Sequence, residues 1–471
     1  MLFTSFAFLL FFPTVCVLYY LIPYCYRWVF LLLTSYYFYI NWQPVYTLLL
    51  VATTGITYVC AQGIAREGVS GKAKKQLLAL GCVVPLAFLF IFKYYNFLNG
   101  TVFAALDSVG LRWPLPELKL LLPIGISFYT FMAVGYLIDV YRGVVKAERN
   151  FGLYALFIAF FPQVTSGPIG RATALLPQLK KPEHLCHYNV MEGLKQMVWG
   201  YFMKLCVADR LAIYVDVAYG NFEHHNGTTL LLASFFYSIQ IYCDFAGYSL
   251  IAIGAARIMG IQLMENFRRP YFAHNIKEFW SRWHISLSTW FRDYIYIPLG
   301  GNRVSQFRYM SNLLITFLVS GLWHGASWTF IVWGGLHGLF QIVENFWRKF
   351  VSVRMQDKLR MSGFGQILLT FVIVNFAWIF FRAPDIETAV SIIGRIFTSS
   401  GMPFVDFPVF SMGLLSLSLL FIKEVQDELG RGIRLLHSRC WLISHLSVVA
   451  MVVFILLFGV FDGGQFIYFQ F

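Results

Sequence analysis

The residues best placed for chemistry are two histidines in apolar surroundings, His284 and His324. Between Tyr309 and Val343 the chain has no Asp, Glu, Lys or Arg, and His324 lies near the centre of this stretch. A formal charge deep in a membrane segment costs roughly 2.5 kcal/mol or more, so ionisable groups there usually serve a purpose. Imidazole is the ionisable group that costs least to bury in a membrane, because it stays neutral near pH 7 and still transfers protons. His324 is therefore a candidate general base; the alternative is a structural histidine bonded to a neighbouring helix.

The stretch around His324 is too long to be one straight membrane helix. Its 35 residues would extend roughly 52 Å as a helix, against a hydrocarbon core of about 30 Å. Gly321 and Gly325 flank the histidine, and glycine lowers helix stability by about 1 kcal/mol relative to alanine. The spacing predicts a break or bend at His324, facing a cavity rather than lipid.

His284 lies in a segment with helical periodicity. Over 277–293 the aromatic residues and His284 fall on one face, and Arg282 falls on the other with serines. Tryptophan at headgroup level with arginine toward water is typical of a helix in the membrane interface. The pattern predicts an interfacial helix near 277–293. The alternative role for His284 is that of a packed, supporting histidine.

The elements that position these residues are membrane helices. Of 471 residues, 58% are hydrophobic and only 13% are charged, compared with about 25% charged in soluble domains. We predict an all-α integral membrane protein, a multi-pass helical bundle of about 11 to 12 spans with re-entrant or broken helices around a central tunnel. One membrane domain is expected over 1–471. The segment 151–170, interrupted by prolines and glycines, is expected to be re-entrant.

The net charge of +13 is concentrated in a few segments, and these predict orientation. The basic segments, expected in the cytoplasm, are 63–75, 261–308, 347–362 and 423–442. With them inside, both termini are extracytoplasmic. We assign this charge to topology, and its further role would be to attract an anionic cytosolic donor. We expect the protein to contact lipid and to bind no nucleic acid.

Several classes of chemistry have no local support. The eight cysteines are scattered without a C-x-x-C spacing, so neither a disulfide framework nor a zinc site is indicated. The chain has no phosphate-binding loop of the G-x-x-x-x-G-K-[ST] type and no H-E-x-x-H pair. We therefore expect no metal and no bound cofactor.

Five blocks of the sequence together resemble the membrane-bound O-acyltransferase (MBOAT) family, and most of all its branch of bacterial alginate O-acetyltransferase membrane subunits. The likeness extends over the whole chain and is most specific in the blocks that contain the two histidines. The blocks are Ile241–Ser249, Phe279–Ser288, Asp293–Arg303, Gly321–Gly325 and Asn375–Arg382.

The resemblance implies an enzyme that takes an acyl group from a cytosolic thioester, such as acetyl-CoA or a carrier-protein thioester, and delivers it to the outer face. It implies that His324 is the essential catalytic histidine and that His284 is a second histidine lining the tunnel. Imidazole suits this task because its pKa of about 6.5 lies near the working pH. The residues expected to support the tunnel are Trp323, Trp283, Asp244 and Arg282. Asp244 lies in an apolar run, so we expect it to pair with a neighbouring arginine, and the alternative is a hydrogen bond in the tunnel.

The C-terminal tail, residues 463–471, is aromatic and begins with two glycines. Related systems carry a similar motif with a tyrosine thought to hold the acyl group in transit, so we predict that Tyr468 is an acyl carrier. A phenol ester remains activated for onward transfer. The alternative is an aromatic belt at the outer membrane interface.

These observations predict an O-acyltransferase of the bacterial cytoplasmic membrane that acetylates an exported polysaccharide such as alginate. The expected partner is an extracytoplasmic acetyltransferase resembling a serine esterase. One alternative is D-alanyl transfer to teichoic acid. An alternative from another class is a polytopic transporter or flippase, although that class predicts inverted repeats that the sequence lacks.

Overall fold

The computed structural model describes residues 1–42, 44–111, 113, 115–181, 184–350, 362–430, 436, 438, 440–462, 466 and 467. Within these ranges the chain is helical and contains no strand. The helices long and apolar enough to cross a membrane are Pro44–Ala65, Gly71–Asp107, Gly227–Ile258, Gly363–Arg382 and Trp441–Phe458. The predicted all-α, multi-pass membrane fold is confirmed. The count of about 11 to 12 spans and the central tunnel stay predictions.

The chain divides into two compact units. One comprises Met1–Gln196 with Ile251–Met264, and the other comprises Met197–Leu250 with Glu265–Phe471. The prediction of a single domain over residues 1–471 stays a prediction beside this division. Both candidate histidines belong to the second unit.

The first unit is built from helices of unequal length. Its α-helices are Phe6–Leu21, Tyr24–Ile40, Thr47–Ala65, Gly71–Leu89, Tyr95–Asp107, Ile126–Tyr141, Phe151–Ala159, Phe161–Val164, Ala172–Lys180 and most of His187–Tyr201. The helix Ile126–Tyr141 begins directly after Gly125, which is left-handed with φ of 73°. A Cβ at Gly125 would lie 2.0 Å from the carbonyl oxygen of Val164, so the turn requires glycine.

The segment 151–170 is interrupted as predicted. Asn150 caps the helix Phe151–Ala159, which stops at Phe160, and one further turn, Phe161–Val164, follows. Every residue of 153–170 is buried. Gln163 donates from Nε2 to the carbonyl oxygen of Pro168 at 3.1 Å, which satisfies part of the open backbone. Re-entry into the membrane stays a prediction.

The second unit contains the helices that carry the candidate site. Its α-helices are Asp209–Gly220, most of Gly227–Ile258, Ile276–Arg282, Ile285–Phe291, Gln306–His324, Trp328–Phe350, Gly363–Arg382, Ile386–Thr398, Phe407–Leu429 and Trp441–Phe458. Wider π-helical turns occur at Phe202–Ala208 and Arg292–Tyr296.

The segment 277–293, predicted as one interfacial helix, is two short helices and a π-helical turn. The helix Ile276–Arg282 ends at Trp283, and the next helix, Ile285–Phe291, starts after His284. His284 has φ of 42°, in the left-handed region, so the right-handed helix is interrupted at the histidine. Periodicity alone did not show this break, because both short helices keep their aromatic residues on the buried side.

Candidate functional site

His324 ends a helix, as its flanking glycines predicted. The helix Gln306–His324 stops there, Gly325 is extended with φ of −160°, and the next helix begins at Trp328. The N–H of Gly325 still donates to the carbonyl oxygen of Gly321, which closes the last turn. The predicted break is confirmed, and the imidazole lies at a helix terminus rather than in mid-helix.

Close contact between two helices requires the glycines around His324. A Cβ at Gly321 would lie 2.2 Å from the carbonyl oxygen of Phe330, and one at Gly334 would lie 2.3 Å from that of Phe317. At Gly325 a Cβ would meet the ring of Phe330 at 2.1 Å. The helices Gln306–His324 and Trp328–Phe350 therefore approach backbone to backbone, which fixes the direction of the histidine.

The His324 ring is enclosed by aromatic rings and is only 1% exposed. Its ring centroid lies 4.9 Å from Trp333, 5.0 Å from Trp323, 5.4 Å from Phe381 and 6.3 Å from His284. We call these five residues the histidine cage. Of its members, the sequence singled out both histidines and Trp323, whereas Trp333 and Phe381 were missed because they look like ordinary packing residues.

His284 is held by a buried polar network centred on Asn266. Its Nδ1 lies 3.2 Å from the Asn266 side-chain oxygen, which also accepts from the Ser286 hydroxyl at 2.9 Å. Asn266 in turn donates from Nδ2 to the Ser249 hydroxyl at 3.1 Å. His284 and Asn266 are at most 1% exposed. Nothing in the sequence marked Asn266, which lies 18 residues before its histidine partner.

This network determines which nitrogen of His284 carries the proton. The backbone N–H of Ser286 donates to the same side-chain atom of Asn266 at 3.2 Å, and a backbone N–H can only donate. That atom is therefore an oxygen, and Nδ1 of a neutral His284 must donate to it. The Nε2 atom of His284 then holds the lone pair, which is the form a base requires.

Trp283 and His337 lie in aromatic layers next to the cage. Trp283 is fully buried, with its ring 5.0 Å from both Phe267 and Trp378, and its role in supporting a tunnel stays a prediction. His337 accepts at Nδ1 from the Trp280 indole N–H at 3.2 Å. The His337 ring is 5.0 Å from Trp333. The 13-residue separation of His337 from His324 gave no reason to connect them.

Asp244 pairs with a lysine, not with the arginine that the sequence led us to expect. Lys204 Nζ lies 2.6 Å from Asp244 Oδ1 and 2.7 Å from Asp209 Oδ1, and all three side chains are buried. We call these residues the charge cluster. Lys204 lies in a π-helical turn, and a Cβ at Gly247 would lie only 2.8 Å from the carbonyl oxygen of Gly200, so glycine allows this close approach. A single lysine within an apolar run was the available signal, and it was missed.

Arg282 holds the turn that carries His284. Its guanidinium binds the Glu278 carboxylate at 2.7 Å and the Glu428 carboxylate at 2.9 Å, so it is not directed only toward water as expected. Burial alone would raise the pKa of Glu278. Hydrogen bonds from the His274 backbone and from Arg282 outweigh burial and hold that pKa below its usual value of 4.5.

A cavity of about 450 Å³ lies beside the two short helices. Trp280 and Phe317 line its apolar part, Ser320 adds a hydroxyl, and Lys277 and Arg292 contribute cationic groups. His324 is not among its lining residues. The Trp280 ring that lines it is 5.8 Å from Trp333, which in turn is 4.9 Å from His324. Contacts between two indole rings therefore connect this cavity to the catalytic candidate.

Part of the C-terminal tail is packed within the second unit. Phe466 is fully buried, with its ring 4.4 Å from Tyr248 and 5.6 Å from Phe245. The backbone N–H of Ile467 donates to Asp244 Oδ2 at 2.8 Å. Tyr468, the predicted acyl carrier, lies outside the described residues.

Comparison with known proteins identifies the family. The model of the family described as "MBOAT, membrane-bound O-acyltransferase family" matches residues 148–383. The chain is 38% identical to the probable alginate O-acetylase AlgI of Azotobacter vinelandii, over 90% of this chain and 84% of that protein. It is 34% identical to the peptidoglycan O-acetyltransferase of Helicobacter pylori, over 85% of this chain and 77% of that protein.

A more distant relative bears on the alternatives. The teichoic acid D-alanyltransferase of Bacillus subtilis is 30% identical over 56% of this chain and 70% of that protein. All three relatives are named as acyl-transfer enzymes, so the transporter alternative has no support. The matched region contains both histidines of the cage, and the relatives extend over most of the chain. This chain is an acyltransferase and a multi-pass membrane protein, and it belongs to the membrane-bound O-acyltransferase family.

Proposed function

We propose that this protein takes an acetyl group from a cytosolic thioester and passes it across the membrane for O-acetylation of an exported polysaccharide. The observation that carries the proposal is the approach of two buried imidazoles, with ring centroids 6.3 Å apart, on elements 40 residues apart in sequence. Relatives named as alginate and peptidoglycan O-acetylating enzymes support acetyl as the group and polysaccharide as the final acceptor.

His324 acts as the general base of the first transfer. A hydroxyl oxygen attacks the thioester carbonyl, its proton moves to the imidazole, a C–O bond forms and the C–S bond breaks. The proton then passes to the departing thiolate, so the base is regenerated. General base catalysis contributes about a hundredfold to ten-thousandfold, and exclusion of water by the aromatic rings protects the thioester from hydrolysis. His284, fixed with its proton on Nδ1, orients the reacting groups through Nε2.

The donor enters through the cavity beside the short helices. Its apolar walls suit the arm of an acyl thioester, and Lys277 with Arg292 suits the phosphates of acetyl-CoA or the acidic surface of a carrier protein. The donor is a cosubstrate, so no permanently bound cofactor is required. Trp280 lines this cavity and contacts Trp333, whose ring is 4.9 Å from His324, so the route of the thioester in this scheme follows these two indoles.

Tyr468 is the first acceptor in this scheme. Its phenol takes the acetyl group, and the resulting aryl ester stays activated because phenoxide is a good leaving group. A serine hydroxyl of an extracytoplasmic, esterase-like partner then attacks this ester and releases the tyrosine. The scheme places the protein in the bacterial cytoplasmic membrane with both termini outside, as its basic segments predict.

Membrane vesicles incubated with a labelled acetyl thioester test the covalent step, with the label located by mass spectrometry. Wild-type protein is expected to carry one acetyl group on the C-terminal peptide. Tyr468→Phe, which deletes only the hydroxyl, is expected to carry none and to lose transfer to the polymer. Continued acetylation of the polymer by Tyr468→Phe would rule out the relay. A D-alanyl carrier thioester offered in parallel tests the alternative donor, and labelling by D-alanine instead of acetyl would overturn the acetyl assignment.

A further inference from the structure

The charge cluster places two buried carboxyl groups around one ammonium group. Two carboxylates, Asp209 and Asp244, share the single ammonium of Lys204, and the three side chains are between 3% and 6% exposed. Buried charges are tolerated only when further hydrogen bonds satisfy them. The second oxygen of Asp244 receives such a bond from the backbone N–H of Ile467, at 2.8 Å.

The segment that supplies this bond is held at two places on the same part of the second unit. At its beginning, the N–H of Val460 donates to the carbonyl oxygen of Leu205 at 3.0 Å, and Arg210 donates to the carbonyl oxygen of Phe458 at 2.7 Å. Near its end, Ile467 is bonded to Asp244. The described residues before and after 463–465 are therefore both hydrogen-bonded to this unit.

The docked segment is linked by one ring to the histidine cage. Phe466 packs against Phe245, the residue that follows Asp244 on the helix Gly227–Ile258. The Phe245 ring lies edge-on to His284, with centroids 4.6 Å apart. The helix turn that receives the tail thus also forms a wall of the site.

We propose that the charge cluster is the docking site of the chain's own C-terminal segment, and that Asp244 is the positioning residue that sets its register. By accepting from Ile467, Asp244 fixes the chain one residue before Tyr468 and on the turn that contacts His284. Lys204 and Asp209 hold the Asp244 carboxylate in place for that bond. The role of this docking in acyl transfer rests on the proposed function. The docking itself can be tested without measuring transfer.

The docking is tested by the reactivity of a cysteine placed in the tail. Phe466→Cys is made in full-length protein whose exposed cysteines, Cys25, Cys186 and Cys440, are replaced by serine. Ile467→Pro then removes the N–H donor and leaves the charge cluster intact, and Ile467→Val is the matched control that keeps the donor. Labelling by a maleimide is expected to be slow in the control and at least tenfold faster with proline. Equal rates with proline and valine would overturn the proposal.

A second test changes Asp244, the acceptor of the hydrogen bond from Ile467. Asp244→Ala leaves Lys204 and Asp209 as a balanced pair, so the protein is expected to fold and the cysteine at 466 to become reactive. Asp244→Asn keeps an acceptor oxygen and is expected to restore slow labelling. Equal labelling rates in Asp244→Asn and Asp244→Ala would contradict a hydrogen-bonding role for Asp244.

Transfer kinetics link the docking to function. In Ile467→Pro with native Phe466, kcat is expected to fall at least tenfold while the KM for the thioester stays unchanged, because the donor cavity is untouched. An unchanged kcat in protein whose tail is released shows that docking does not position an acyl acceptor. Absence of transfer even in the wild type would refute the proposed function and leave the labelling result standing.

Discussion

The second unit buries two polar groups of opposite character, the histidine cage and the charge cluster. The cage surrounds two imidazoles with aromatic rings, whereas the cluster joins an ammonium to two carboxylates at 2.6 and 2.7 Å. An ionised group held by an opposite charge is a poor base, because its partner stabilises the charged form. A neutral imidazole with a fixed tautomer keeps a lone pair for proton transfer. We therefore assign proton transfer to the histidine cage and positioning to the charge cluster.

The largest expected effect on stability comes from breaking the charge cluster. Lys204→Met leaves two buried carboxylates without a cation, so we expect the loss of about 3–5 kcal/mol of unfolding free energy. Arg268→Met is the control, because the Arg268–Glu265 pair has side chains 58% and 52% exposed and contributes about 0–1 kcal/mol. Thermal unfolding in detergent measures both. Equal, small shifts in melting temperature would mean that the cluster is not the anchor described here.

A smaller effect, on pH dependence rather than folding, is expected when a charge is introduced into the histidine network. Asn266→Asp keeps an acceptor for the Ser286 N–H and for His284 Nδ1, and loses only the donation to Ser249. A carboxylate next to His284 favours the protonated ring, so the pKa of His284 rises. Because the neutral ring is the active form, the acidic limb of the pH–rate profile should move to higher pH. An unchanged profile with full activity would remove His284 from the reaction.

The features that the sequence predicted follow from local chemistry. Gly321 and Gly325 predicted the helix break at His324, because glycine both weakens a helix and allows close approach of another. The apolar runs predicted membrane helices from length alone, and the prolines and glycines of 151–170 predicted an interrupted segment. The family resemblance identified both histidines, which the structure brings together within the cage.

The features that the sequence did not predict depend on partners distant along the chain. The left-handed turn at His284 is stabilised by Asn266, and periodicity carries no information about such a bond. Asp244 binds Lys204, 40 residues away, and no sequence pattern identifies a partner at that separation. Phe381 joins the cage from a third helix, Gly363–Arg382, which looks like any apolar span.

The most direct test of the central claim compares acetyl transfer and unfolding in His324→Phe. Phenylalanine keeps a ring within the cage and removes both nitrogens, and His337→Phe is the same change in a neighbouring buried histidine outside the cage. His324→Phe is expected to lower transfer from thioester to acceptor at least about a hundredfold while thermal unfolding stays near wild type. His337→Phe is expected to retain most transfer. Transfer by His324→Phe within a few-fold of the wild type would contradict the account.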